Sequence, residues 1–215
     1  MIGLVRENQA AKTFKPQGEI RRLFEAEPPE VSEREKRIKL PVAMPKCLFG
    51  IKEPKAPPNG EAALRRELAT RLLFDILFSP SSRLYQELYD DKLITDGFGA
   101  EYNTGEQYAF SVIGGDTRDP DELVARVRKA VDKWKDAGVP EALFERTRRK
   151  KIGGFFRMLN SLEAIAGEFT KHRFRGTDLF RVLDLYEQLT LNEVTDRLRD
   201  HFDWERLSVC IVGSE

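Results

Sequence analysis

Between Ser81 and Gly115 the chain reads SSRLYQELYDDKLITDGFGAEYNTGEQYAFSVIGG, and this order of signals leaves few ways to fold. Ser81 or Ser82 can cap a helix that carries Leu84, Tyr85 and Leu88 on its inner side and runs to about Lys92. Phe98 to Tyr102 and Tyr108 to Ile113 then have strand character. They flank Asn103-Thr-Gly-Glu, a connection of common hairpin length. A helix and a hairpin each bury one face only, so their direct succession places the helix against the sheet that contains the hairpin.

The flanking segments extend the same plan. Leu64, Leu68, Leu72 and Ile76 recur every fourth residue beside Ala69, Leu73 and Leu77, a stripe wide enough to cover a sheet face, and Ser79-Pro80 stops it. Before it, Ile38, Leu40 and Val42 alternate and Lys46 to Glu53 follows as a second strand. Pro54 to Gly60 must then be a loop. After it, Asp119-Pro120 opens a helix with Leu123, Val127, Ala130, Val131 and Trp134 on its buried side, and Gly138 closes it. Further helices are predicted from Pro140 through Phe156, Ser161 to His172, Asp178 to Leu189 and Leu191 to Phe202. Leu207 to Val212 returns as a last strand. The predicted fold class is α+β, an antiparallel sheet with helices packed on one face.

Composition narrows the function classes. Lys+Arg and Asp+Glu are equal at 36 each, so no net field draws in nucleic acid or an anionic membrane. The basic run from Arg146 to Lys151 lies within one amphipathic helix without interleaved aromatic residues, which reads as a solvated face. No apolar run approaches the ~18 residues of a membrane span, and the first residues are too polar for a signal peptide. A soluble, cytoplasmic protein is expected, with Cys47 and Cys210 as reduced, buried thiols in strand-like runs. Gly114-Gly115-Asp116 matches no phosphate-loop spacing and reads as a strand end turning toward a helix. Gly153-Gly154 costs a helix about 2 kcal/mol relative to alanines, which predicts close packing or a bend there. Ser81 and Ser82 have no discernible His or Asp partners and read as caps.

Three segments in order, the helix LYQELY with its trailing LI, the turn GGDT at Gly114 to Thr117, and the terminal strand LSVCIVG, resemble the C-terminal, non-catalytic half of insulinase and pitrilysin-type zinc peptidases, in their bacterial zinc-dependent peptidase-like branch. The resemblance covers about Arg37 to Glu215. It implies an inactive domain over residues 37–215 and, over residues 1–36, a linker with Pro28-Pro29 and the remnant of a preceding domain, a short helix within Leu4 to Phe14.

Such enzymes hold zinc with H-x-x-E-H in their other half, where three protein ligands leave a position open for water. Here His172 is followed by RFRG and His201 by FDWE, so neither begins that motif, and both read as structural residues at helix ends. Catalytic and metal residues are therefore expected to be none in this chain, with zinc only in a partner half. The family's C-terminal half also carries an Arg and a Tyr that hold substrate backbone. Aligned on Gln86 to Leu88, those positions are Tyr89 and Asp96, so the pair is absent. The resemblance nevertheless implies substrate contact by Tyr89, Asp96, Phe98 and Tyr102 if a zinc-bearing half closes over them. The plainer reading is a surface helix end followed by an edge strand. The implied function is enclosure of a peptide substrate together with an H-x-x-E-H-bearing half. The rival is a structural or assembly module with no peptidase association, with a homodimer left open.

Overall fold

The computed structural model describes residues 1–15, 18, 23, 28–55, 60–105 and 107–213. Along the chain these form α1 (Ile2–Ala10), β1 (Glu35–Lys39), β2 (Lys46–Ile51), α2 (Gly60–Phe78), α3 (Arg83–Asp90), β3 (Gly99–Thr104), β4 (Ala109–Asp116), α4 (Pro120–Ala137), α5 (Glu141–Met158), α6 (Leu162–Phe174), α7 (Arg181–Gln188), α8 (Leu191–His201) and β5 (Leu207–Gly213). Most of the expected linker before residue 28, the middle of the Pro54 to Gly60 loop, and Glu106 of the hairpin connection lie outside the described residues.

Among the described residues one sheet forms, in the order β1-β5-β2-β4-β3. β2, β3, β4 and β5 are joined by antiparallel pairings, as expected, while β1 adds to β5 in parallel, making the sheet mixed. A parallel neighbour requires a long crossover, and here nearly the whole chain lies between the two strands. β1 stops at Lys39, short of the expected Val42, because Pro41 can donate no ladder bond.

Helix starts follow the capping chemistry. The Ser82 hydroxyl accepts from the Tyr85 N–H, and Asp119 accepts from Glu122 with Pro120 next in line. Thr190 and Glu193 form a reciprocal capping box at α8. The predicted α2 stripe is realised in full. Leu64, Leu68, Leu72 and Ile76 are buried with Phe74 and Phe78 against the inner side of the sheet.

Strand alternation sorts the rest. Cys47, Phe49 and Ile51 of β2 face the helices, and Leu48 faces out. Cys210 pairs in register with Leu48 and shares its outward direction, so Cys47 is buried but Cys210 is exposed, contrary to the expectation that both are buried. The strand β4 runs through Gly114 and Gly115 and ends at Asp116, four residues before α4 begins, as the strand-end reading expects. Gly114 has φ +139, and a Cβ at that position would collide with the carbonyl oxygen of Cys47 on β2. Gly153 and Gly154, by contrast, lie inside an uninterrupted α5 with open space beside both, so neither close packing nor a break in the helix accounts for them, and nothing in the structure explains the pair.

Candidate functional site

The densest polar constellation lies inside the molecule. Glu53 follows the end of β2 and turns inward, where α2 supplies Arg66 and Thr70, β4 supplies Ser111 and α8 supplies Arg197 and His201. One Glu53 oxygen receives Arg66, and the other receives both Arg197 and His201, whose Nδ1 lies at 2.7 Å. The His201 Nε2 lies 2.9 Å from the Ser111 hydroxyl oxygen, which also accepts from the Ile51 N–H at 3.2 Å. With a neutral ring, Nδ1–H donates to Glu53 and the Ser111 hydroxyl donates to Nε2.

Ser111, His201 and Glu53 thus have the connectivity of a hydrolase triad but none of its access. His201 is 0% and Ser111 1% exposed, so no scissile bond reaches the hydroxyl. Burial first, and the neighbouring Arg197 charge as well, lower His201 to about 4 even though Glu53 pulls the other way, so the ring is neutral near pH 7. Burial alone would raise Glu53, but the hydrogen bond from His201 and the charge of Arg197 outweigh it and hold the carboxyl at about 2. The cluster is a charged fastener tying β2, β4, α2 and α8 together, with every member hydrogen-bonded.

The four expected contact residues do not share one surface. Phe98 and Tyr102 are core residues, at 5% and 6% exposure, packed beside Phe78 and Phe74 respectively. Tyr89 is half-exposed at the end of α3, stacked on Tyr85 at 6.0 Å, and Asp96 is exposed in the turn before β3. Phe98 and Tyr102 do come together along a groove at the edge of β3. His172 lies in the last turn of α6, as its helix-end reading expects, with Nδ1 at 2.9 Å from the Thr177 hydroxyl. His201 spends both ring nitrogens within the fastener, so the two histidines do not converge on a cation. Among the described residues no group of three or more His, Cys, Asp or Glu is placed to hold a metal, and the residues do not fit a zinc site.

The outward face of the sheet is the second candidate. Leu48, Phe110, Ile38 and Cys210 are exposed on it, and the cleft there, of about 630 Å³, is lined by Val31, Leu48, Tyr108, Phe110, Val112 and Cys210. Among the described residues the helices pack on the opposite face. A one-sided sheet with an apolar outer wall is the shape of a domain that closes against something else.

A family model described as the peptidase M16 inactive domain matches residues 1–151. The chain belongs to this family. It is accordingly an inactive domain of zinc-protease-like proteins. Over 212 residues it is 37% identical to the uncharacterized zinc protease YmfH of Bacillus subtilis strain 168, covering 99% of this chain and 49% of that protein. An M16-like peptidase from Alicyclobacillus acidocaldarius superposes with a TM-score of 0.93 at 28% identity, covering 100% of this chain and 51% of the other. The peptidase M16 inactive domain from Pseudomonas fluorescens shares the fold, with a TM-score of 0.75 at 15% identity over 93% of this chain and 47% of that one. The M16 chain therefore spans about half the length of these relatives.

The resemblance drawn from LYQELY, GGDT and LSVCIVG is confirmed by these matches, and the α+β class with it. Sequence reasoning missed the internal fastener. Its one signal was Arg197 and His201 placed among Val194 and Leu198 at buried helical spacing, a polar pair within an apolar stripe.

Proposed function

We propose that this chain is the non-catalytic wall of a two-part peptidase, enclosing a peptide together with a half that carries H-x-x-E-H and zinc. The observation that carries the reading is the helix-free apolar sheet face around Leu48, Phe110 and Val112 among the described residues, in a chain spanning half the length of its zinc-protease relatives. In this reading residues 37–215 are the enclosing domain and residues 1–36 connect it to the other half, all in the cytoplasm. Peptide contacts come from the apolar wall and the sheet edge, and the water-activating chemistry belongs wholly to the partner.

The test mixes the chain with a purified H-x-x-E-H half and follows cleavage of an unstructured fluorogenic peptide. Turnover that needs both components, stops with a chelator and falls in Leu48→Arg is the expected result. Equal turnover without this chain, or chelator-sensitive cleavage by this chain alone, refutes it. The rival, an assembly module, is favoured by α6, which buries no residue and exposes Leu162, Phe169 and Phe174. Under that rival, Phe174→Asp abolishes self-association while Leu48→Arg changes nothing.

A further inference from the structure

A cavity of about 1360 Å³ lies among α2, α5, α6 and α7, on the helical side of the sheet. Gly60 and Arg71 mark its extent along α2, about 16 Å apart at the helical rise. Beside it α5 runs the opposite way, with Leu143 near Ser79 and Lys151 at Asp75. Phe155 and Met158 therefore fall toward the Gly60 end, where Ala63, Leu64 and Val182 complete an apolar wall. On the remaining side α6 buries no residue, its Lys171 pairs with Glu168 at 3.5 Å, and Phe174 is 85% exposed, so this side is the mouth.

The Arg71 end is cationic and incompletely paired. Arg71, Lys151, Lys171 and Arg175 line the cavity against Glu67 and Glu168. Glu67 is shared by Arg71 at 2.9 Å and Arg175 at 3.1 Å, and Asp75 is held by Lys150 at 3.0 Å, which leaves Lys151 the same Asp75 at 3.8 Å. Burial, above all, pushes the Lys151 ammonium below its ordinary value. Tyr186 lines the same cavity at 5% exposure, and among the described residues nothing hydrogen-bonds its hydroxyl. Arg71 and Asp75 act electrostatically on both Tyr186 and Lys151, which sets these two side chains at one end. Burial raises the Tyr186 phenol, so it stays protonated and keeps a donor to give. A buried polar group left unpaired costs stability until something binds it.

We propose that this cavity binds a single-chain amphiphilic carboxylate, with the headgroup on Lys151 and Tyr186 and the acyl chain along Leu64, Phe155, Met158 and Val182. Arg71 and Arg175 are already spent on Glu67, so one ammonium and one hydroxyl remain, a match for a headgroup of one charge rather than a doubly charged phosphate. An apolar wall with a few convergent polar groups is the usual form of a small-molecule site. The inference goes beyond the enclosure reading and does not depend on it, since the cavity lies among the helices and not on the outward wall.

The test titrates the 215-residue chain calorimetrically with dodecanoate, dodecanol, dodecyl phosphate and acetate. Dodecanoate should saturate a single site roughly tenfold more tightly than dodecanol, the size of a charge-assisted hydrogen bond, and Lys151→Met should erase that margin. Acetate, a head without a chain, should not saturate in the same range. Ala63→Phe, at a half-buried position of the apolar end, should weaken dodecanoate and dodecanol alike. Tyr186→Phe should weaken dodecanoate several-fold while the ligand-free melting temperature stays level or rises, because no hydrogen bond is lost; this separates lost binding from lost folding. Absent binding of dodecanoate, equal binding of dodecanol, tighter binding of dodecyl phosphate, or an unaltered Lys151→Met overturns the proposal. Several dodecanoates per chain, indifferent to Ala63→Phe, overturn it as well.

Discussion

Replacing His201 with Gln should flatten the acid side of the stability curve. In the folded chain His201 sits at about 4, lowered chiefly by burial, against an ordinary 6.5. Above pH 6.5 the ring is neutral in both states and contributes no pH dependence. As the pH falls from 6.5 to 4 the unfolded chain binds a proton that the folded chain refuses, so unfolding becomes progressively easier. A displacement of this size is worth on the order of 3 kcal/mol. His172 is lowered in the same direction by its partial burial, but it is untouched by the substitution and cancels in the comparison. Glu53, held at about 2, contributes stability present above its ordinary 4.5 and lost as the pH falls through 2, mostly below this window. Gln can still donate to Glu53 and accept from Ser111, so the variant keeps a hydrogen-bonded core. Urea unfolding followed by Trp134 and Trp204 fluorescence at steps from pH 7 to pH 4 gives the two curves. Wild type should lose about 3 kcal/mol more than His201→Gln across that range, and two parallel curves would refute the assignment of a buried neutral imidazole.

Glu53→Gln should destabilise the chain by about 3–5 kcal/mol, because it leaves buried Arg197 without its countercharge; chemical denaturation at pH 7 measures the loss. Gly153→Ala should stabilise by about 1 kcal/mol, since a methyl there meets open space on a helix; an unchanged or lowered melting temperature contradicts this. Iodoacetamide should modify Cys210 quickly and leave Cys47 intact until unfolding, because Cys47 is buried and its thiol is pushed up to about 12, with mass spectrometry of the digested protein as the readout.

The helix layer was legible because its signals are local. The spacing of Leu64, Leu68, Leu72 and Ile76, the caps at Ser82 and Asp119, and the Thr190 box each declare themselves within a few residues. The parallel docking of β1 was not, because the alternation at Ile38 and Leu40 marks a strand without naming its neighbour, and Glu35 to Lys39 is exposed throughout. Glu53 stayed hidden for a related reason. It lies between Lys52 and Pro54, where a charge reads as loop, and its Arg197 partner is 144 residues away. The burial of Phe98 and Tyr102 is not legible either, since aromatic residues at a strand margin look alike in sequence whichever side they pack on.

The charged strand β1 has a consequence for how this molecule meets its neighbours. Its Glu35, Lys36, Arg37 and Lys39 are all exposed, and Arg37 is engaged with Glu35 and Asp121. Such a rim repels an incoming strand. Growth by strand-to-strand pairing is therefore blocked on the β1 side of the sheet.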